Sequence, residues 1–135
     1  MTEVPAGPSA SPLPPGRVLL ATLLAWALPG AGHLYLRRPV RAATFCGLVI
    51  AALVLGCTLH GNLYRTLQGQ PLTVLATLAS MGVGLPHFVL RYALTYEGNP
   101  VSWGYEYGTA FLLTAGLMNL LLVLDAWDIA RGQKE

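Results

Sequence analysis

Followed along the chain, charge is confined to short connectors between four uncharged stretches. No Asp, Glu, Lys or Arg occurs in Val18 to Leu36, Ala42 to Tyr64, Thr66 to Leu90 or Tyr107 to Leu124, windows of 19, 23, 25 and 18 residues. A helix crossing ~30 Å of hydrocarbon needs about 20 residues at 1.5 Å each, and about 18 is the usual lower bound. A soluble bundle of apolar helices would carry polar faces at helical period. Val18 to Leu28 and Leu48 to Leu55 carry none. The pattern predicts an all-α integral membrane bundle of about four spans, because unpaired backbone groups in lipid are too costly for anything but helices or a closed barrel. Ala42 to Tyr64, Thr66 to Leu90 and Tyr107 to Leu124 are each expected to hold a long helix.

The first window is interrupted. In "AWALPGAGHLYLRRPVRAATF", Ala25 to Phe45, an apolar run meets Pro29-Gly30-Ala31-Gly32, then His33, then three arginines within five residues. Pro29 removes the hydrogen bond to the Ala25 carbonyl, and Gly30 and Gly32 make a break inexpensive. The first helix is therefore expected to be broken at Pro29-Gly30. Such a break can expose backbone groups that line an ion or substrate site, or it can be a packing kink near one interface.

Residues 1–16 hold five prolines and no basic residue. They are expected to form a disordered tail rather than a secretory signal, which needs a positive n-region. Residues 17–131 then make one transmembrane helical domain, and 132–135 a polar C-terminal end. Tyr35, Tyr64, Tyr92, Tyr96, Trp103, Tyr105, Tyr107 and Trp127 fall near span ends, as interfacial aromatic residues do. Composition agrees: 54% of residues are hydrophobic and 10% charged, against about 25% charged in soluble domains. With a net charge of +2, the partners expected are the lipid bilayer and a second copy or another membrane protein, with no nucleic acid. Orientation is not given by charge. Four crossings put Arg17, Arg65, Arg131 and Lys134 on one side and Arg37, Arg38, Arg41 and Arg91 on the other, a tie under the positive-inside rule; a first window that dips and returns gives five to three.

Polar residues at membrane depth are the default functional candidates. His33, Asn119, Asp125 and Asp128 are the candidate binding residues. Pro29, Gly30, Gly32, Tyr35, Gly47 and Gly84 are candidate structural positions, and Arg37, Arg38 and Arg41 form a basic turn. A lone His33 most simply hydrogen-bonds a neighbouring carbonyl or carboxylate. Asp125 and Asp128, at i and i+3, share one face of the last helix and oppose its C-terminal dipole, so they call for cationic partners. With four crossings the arginine turn and Asp125 lie on opposite sides, so Asp125 is expected to pair with Arg65 or Arg131. Ala43-Gly47-Ala51 and Ala76-Ser80-Gly84 are small-residue rows that suit close helix approach, within this bundle or between copies. Cys46 and Cys57 lie about 16 Å apart along one helix, too far to pair. No metal-ligand spacing, nucleophile triad or phosphate loop is present, so neither a metal, a cofactor nor an enzymatic activity is expected. The role expected is packing or scaffolding of membrane partners. The alternative is a small oligomeric transporter or channel using the broken first helix with Asp125 and Asp128.

The stretch "LLAWALPGAGHLYLRR" followed by an apolar span resembles the start of the two-transmembrane-span domain family. With "YEYGTAFLLTAGLMNLLLVLDAWDIARG" at the end, the chain looks similar to an uncharacterised family of small bacterial multi-span membrane proteins. Pro29, Gly30, Gly32, His33, Tyr35, Asn119, Asp125 and Asp128 carry the resemblance across Leu23 to Gly132. The family pattern has glycine after the Tyr-Leu pair, where this chain has Arg37. The resemblance implies membrane location, in a bacterial inner membrane, and no settled activity.

Overall fold

The computed structural model describes residues 11–64 and 70–133. The expectation for the tail at residues 1–10, and any role of Arg65 or Lys134, lie outside these. In chain order come α1 (Pro15–Ala27), α2 (Ala31–Tyr35), α3 (Pro39–Thr58), α4 (Pro71–Met81) and α5 (Leu85–Phe88). A single π-helical turn, Val89–Ala93, and α6 (Tyr105–Ala130) follow. No strand occurs among the described residues. α1, α3 and α4 each begin on a proline, which lacks only a hydrogen no first-turn residue uses and has φ preset for helix.

α3 and α6 run antiparallel and form the spine. Phe45 lies at the level of His33 and Asp125, while Gly56 backs onto Leu112 and Gly61 onto Gly108. Val49, Leu53, Leu112, Ala115 and Leu122 fill the seam. These two helices, of 20 and 26 residues, are long and apolar enough to cross a membrane. Their outer faces are apolar too: Leu48, Val54, Leu117, Leu121 and Leu124 stay exposed.

Two bent segments flank the spine, one at each end. α1 packs along the C-terminal half of α6: the Leu13 amide donates to the Ala130 carbonyl at 3.0 Å, and Val18, Ala21 and Ala130 cluster with Leu36. After the turn at Leu28–Gly30, α2 folds back down α1, with Gly32 against Ala25 and the Ala21 carbonyl. Gly30 takes φ 83 and faces the Ala42 carbonyl so closely that a Cβ would stand 2.6 Å from it. The second segment leaves from the other end of the spine. α4 docks on α6 where Ala79 meets Gly116, and the chain then bends by 110° into α5 and the π turn. Both of its arms have their outer ends beside Tyr64 and Tyr105, where Gln70, Thr73 and Arg91 share one cavity.

Four spans are thus corrected to two, or three if the bent pair counts as one. α1 has only 13 residues before Pro29 and Gly30 turn it back. The third window holds no long helix, because Gly84 at φ 85 and ψ −139 occupies backbone space open only to glycine. Pro86 then denies the Gly82 carbonyl its helical donor.

Candidate functional site

The tips of the two bent segments meet beside the middle of α6. Gly84 presses so closely on the Trp26 carbonyl that any Cβ would collide with it, and the Trp26 and Phe88 rings pack edge to face at 6.2 Å. Each tip ends a helix and therefore presents carbonyls without intrahelical donors. Asn119 supplies the missing donor. Its side chain is fully buried, and its Nδ2 lies 2.8 Å from the Gly82 carbonyl, 3.2 Å from that of Trp26 and 3.3 Å from that of Val83. Two amide hydrogens shared among three acceptors tie both tips to α6. Asn119 Oδ1 and Ser80 Oγ, also fully buried, have no hydrogen-bond partner among the described residues.

Lower down the first bent segment, His33 is fully buried on α2, and its Nε2 lies 2.9 Å from Oδ2 of Asp125, whose side chain is 21% exposed. The Phe45 ring stands edge-on at 5.5 Å and keeps α3 against the imidazole. With a hydrogen on Nε2 the imidazole donates to the carboxylate, leaving Nδ1 as a lone pair; Nδ1 has no partner among the described residues. A second proton there would find no acceptor. The contact ties α2 to α6. The structure places His33 against the Asp125 carboxylate, which has a further interaction as well; of the partners expected for Asp125, Arg65 lies outside the described residues. The guanidinium of Arg131 lies over the Trp127 ring, 5.6 Å from its centroid. Asp128, half-buried one turn on, is also engaged.

Most of the residues singled out in the sequence gather around the first bent segment. Arg37 and Arg38 share a cavity with Arg17, Leu13 and Ile129. The arginine turn therefore lies at the same end of the molecule as the C-terminus of α6, not at the opposite one. Arg37 adopts φ 59, a left-handed conformation that favours glycine. Arg41 is exposed in the first turn of α3, and Tyr35 lines the arginine cavity. The two small-residue rows separate. Ser80 and Gly84 are buried in the bundle, whereas Ala43, Gly47 and Ala51 lie exposed on α3, and Gly47 has nothing within 4 Å of a Cβ position. Both cysteines are free, and the described residues contain no cluster of three His, Cys, Asp or Glu that could hold a metal.

One signal was missed. Gly30-x-x-His33-x-x-Leu36-Arg37 recurs as Gly84-x-x-His87-x-x-Leu90-Arg91, every matching residue 54 positions on. Both glycines have positive φ and precede a short helix, and both histidines are buried with an Nδ1 that has no partner among the described residues. His87 lines a cavity of about 580 Å³ with Tyr64, Thr77 and Arg91 at the other end of the molecule. The two halves are thus built alike and point in opposite directions.

Comparison with curated proteins and with solved structures gives no match. A family model matches residues 20–135, and by that match the chain belongs to DUF6677, a family of unknown function.

Proposed function

We propose that the protein resides in a bacterial inner membrane, with α3 and α6 crossing the bilayer and the two bent segments entering it from opposite faces as re-entrant hairpins. Helix lengths support this: α1 and α4, with 13 and 11 residues, stack to ~36 Å, close to the ~39 Å of the 26-residue α6. Charge supports it as well. Arg17, Arg37, Arg38, Arg41 and Arg131 gather at one end, against Arg91 among described residues at the other. Five to one puts that end, with the start of α1 and the end of α6, at the cytoplasmic face.

Within that frame the protein acts non-enzymatically, as a small proton-linked transporter or channel assembled from several copies. The observation that carries this reading is the His33–Asp125 pair, a fully buried imidazole against a carboxylate 21% exposed, beside a helix break. Ionisable groups at such depth are expensive and mark proton or ion pathways, and oppositely directed broken helices are a recurring frame for them. Purified protein in vesicles carrying a trapped pH dye should dissipate an imposed proton gradient, and His33→Gln or Asp125→Asn should stop it. Equal leak through the parent and both variants would reject the reading.

A scaffold is the second reading, favoured by the exposed Ala43-Gly47-Ala51 row, which suits a closely approaching helix. Crosslinking in native membranes from a cysteine at Gly47 would then capture another membrane protein.

A further inference from the structure

We propose that the turn between α2 and α3 binds the phosphate of an anionic phospholipid, with one acyl chain lying in the crevice between α2 and α3. The proposal rests on the membrane placement given above. Three features of one corner carry it.

The first is charge. Arg17 from the start of α1 and Arg37 and Arg38 from the turn line a cavity of about 480 Å³ whose walls contain no carboxylate. Asp125, on the same end of α6, contacts His33. Guanidinium groups present paired N–H donors that match phosphate oxygens, and two chain segments supply them here from different directions.

The second is strain. Arg37 sits at φ 59, where an L-residue crowds its own Cβ against the backbone and glycine would not. An arginine in that position keeps its guanidinium at the cavity at the expense of the turn, and strained residues of this kind gather at ligand sites.

The third is shape. A crevice of about 430 Å³ opens beside Pro39, the residue after Arg38, and follows Leu34, Ala43, Cys46 and Ile50 as far as Pro86 on the opposite hairpin. From Pro39 to Ile50 is eleven residue steps, ~16 Å of helix, and half of a ~30 Å hydrocarbon core is ~15 Å. The crevice is therefore about one leaflet deep, begins at Pro39, one residue past Arg38, and is lined by apolar side chains and backbone. A chain attached to a phosphate at the turn reaches its end. Inorganic phosphate would fill only the arginine cavity.

The full chain, extracted in mild detergent, would be exchanged into phosphatidylglycerol, into phosphatidylcholine, or into detergent with millimolar inorganic phosphate. Retained lipid is read by native mass spectrometry and protection by the unfolding temperature. Phosphatidylglycerol should be retained through delipidation and should raise the unfolding temperature; phosphatidylcholine and phosphate should do neither. Each arginine near a charged surface contributes about five-fold in affinity, so Arg37→Gly with Arg38→Gln should weaken retention roughly 30-fold. Arg37→Gly alone relieves the backbone, so its retention should fall while the lipid-free protein unfolds no more easily, which separates binding from folding. Ala43→Phe should weaken retention by filling the crevice with all three arginines intact. Equal retention of the two lipids, protection by phosphate alone, or a crevice crosslinked to a second copy with no lipid present would each overturn the proposal. Failure of the membrane placement is read separately, by which face labels a cysteine at Gln133.

Discussion

Asn119→Leu replaces a buried amide with an apolar side chain of similar volume, so its effect isolates hydrogen bonding from packing. The parent amide serves the carbonyls of Gly82, Trp26 and Val83 at 2.8, 3.2 and 3.3 Å. Pro86, four residues after Gly82, has no N–H to offer that carbonyl. Interhelical hydrogen bonds in membrane proteins average about 0.6 kcal/mol and reach about 1.7, and a buried polar group left unpaired costs about 1–3 kcal/mol. Two hydrogens lost from three acceptors thus give about 2 kcal/mol of destabilisation. Unfolding in mixed micelles, followed by Trp26 fluorescence, would measure it. The tips should also loosen together, because one side chain ties both to α6; cysteines at Leu28 and Leu85 should gain labelling in parallel. Asn119→Asp should be worse than Asn119→Leu at neutral pH, since a carboxylate would face three carbonyls. A change below about 0.5 kcal/mol for Asn119→Leu, or looser labelling at one tip only, would refute the clamp.

Gly84→Ala should destabilise by more than about 2 kcal/mol in the same assay, from a positive φ and a collision with the Trp26 carbonyl. Gly47→Ala, in open space on α3, should instead gain up to about 1 kcal/mol. A double-mutant cycle of His33→Gln and Asp125→Asn should show about 1–3 kcal/mol of coupling; additive effects would mean that the 2.9 Å contact carries little energy. Tyr96 donates to the Gly61 carbonyl at 2.8 Å, and burial, with Cys57 and Tyr105 nearby, pushes its phenol up to about 12. The folded value thus lies above the ordinary ~10, so the contribution of this phenol to stability is complete below pH ~10 and is lost as pH rises toward 12. Ultraviolet titration should show a late tyrosine step that Tyr96→Phe removes.

How much of this was legible depended on what each feature leaves in hydropathy. α3 and α6 were legible because a long uninterrupted helix needs a long uncharged window, and both windows had one. The third window looked the same by that measure, yet it turns back at Gly82-Val83-Gly84-Leu85-Pro86. A bend alters φ and ψ without adding charge, so a count of charge-free residues does not register it. The Gly, His, Leu and Arg repeat did record it. Gly30 marks the break in the first window, and its counterpart Gly84, 54 residues later, marks the bend in the third.

Candidate residues were easier to find than their partners. His33, Asn119 and Asp125 stood out one by one, since each is polar amid apolar sequence, but which of them touch depends on how many times the chain crosses between them. Four crossings put an odd number between the arginine turn and Asp125, and so sent Asp125 toward Arg65 or Arg131. In the proposed topology the second hairpin returns to its own face and only α3 and α6 cross. Two crossings are even, so the foot of the first hairpin and the end of α6 share a face, where His33 reaches Asp125 at 2.9 Å. The same change of parity turns a four-to-four tie of basic residues into five to one among those described. A single short loop, by crossing or returning, therefore decides the ion pair and the orientation together. If cysteine labelling found Val40 and Gln133 on opposite faces, both would fall at once.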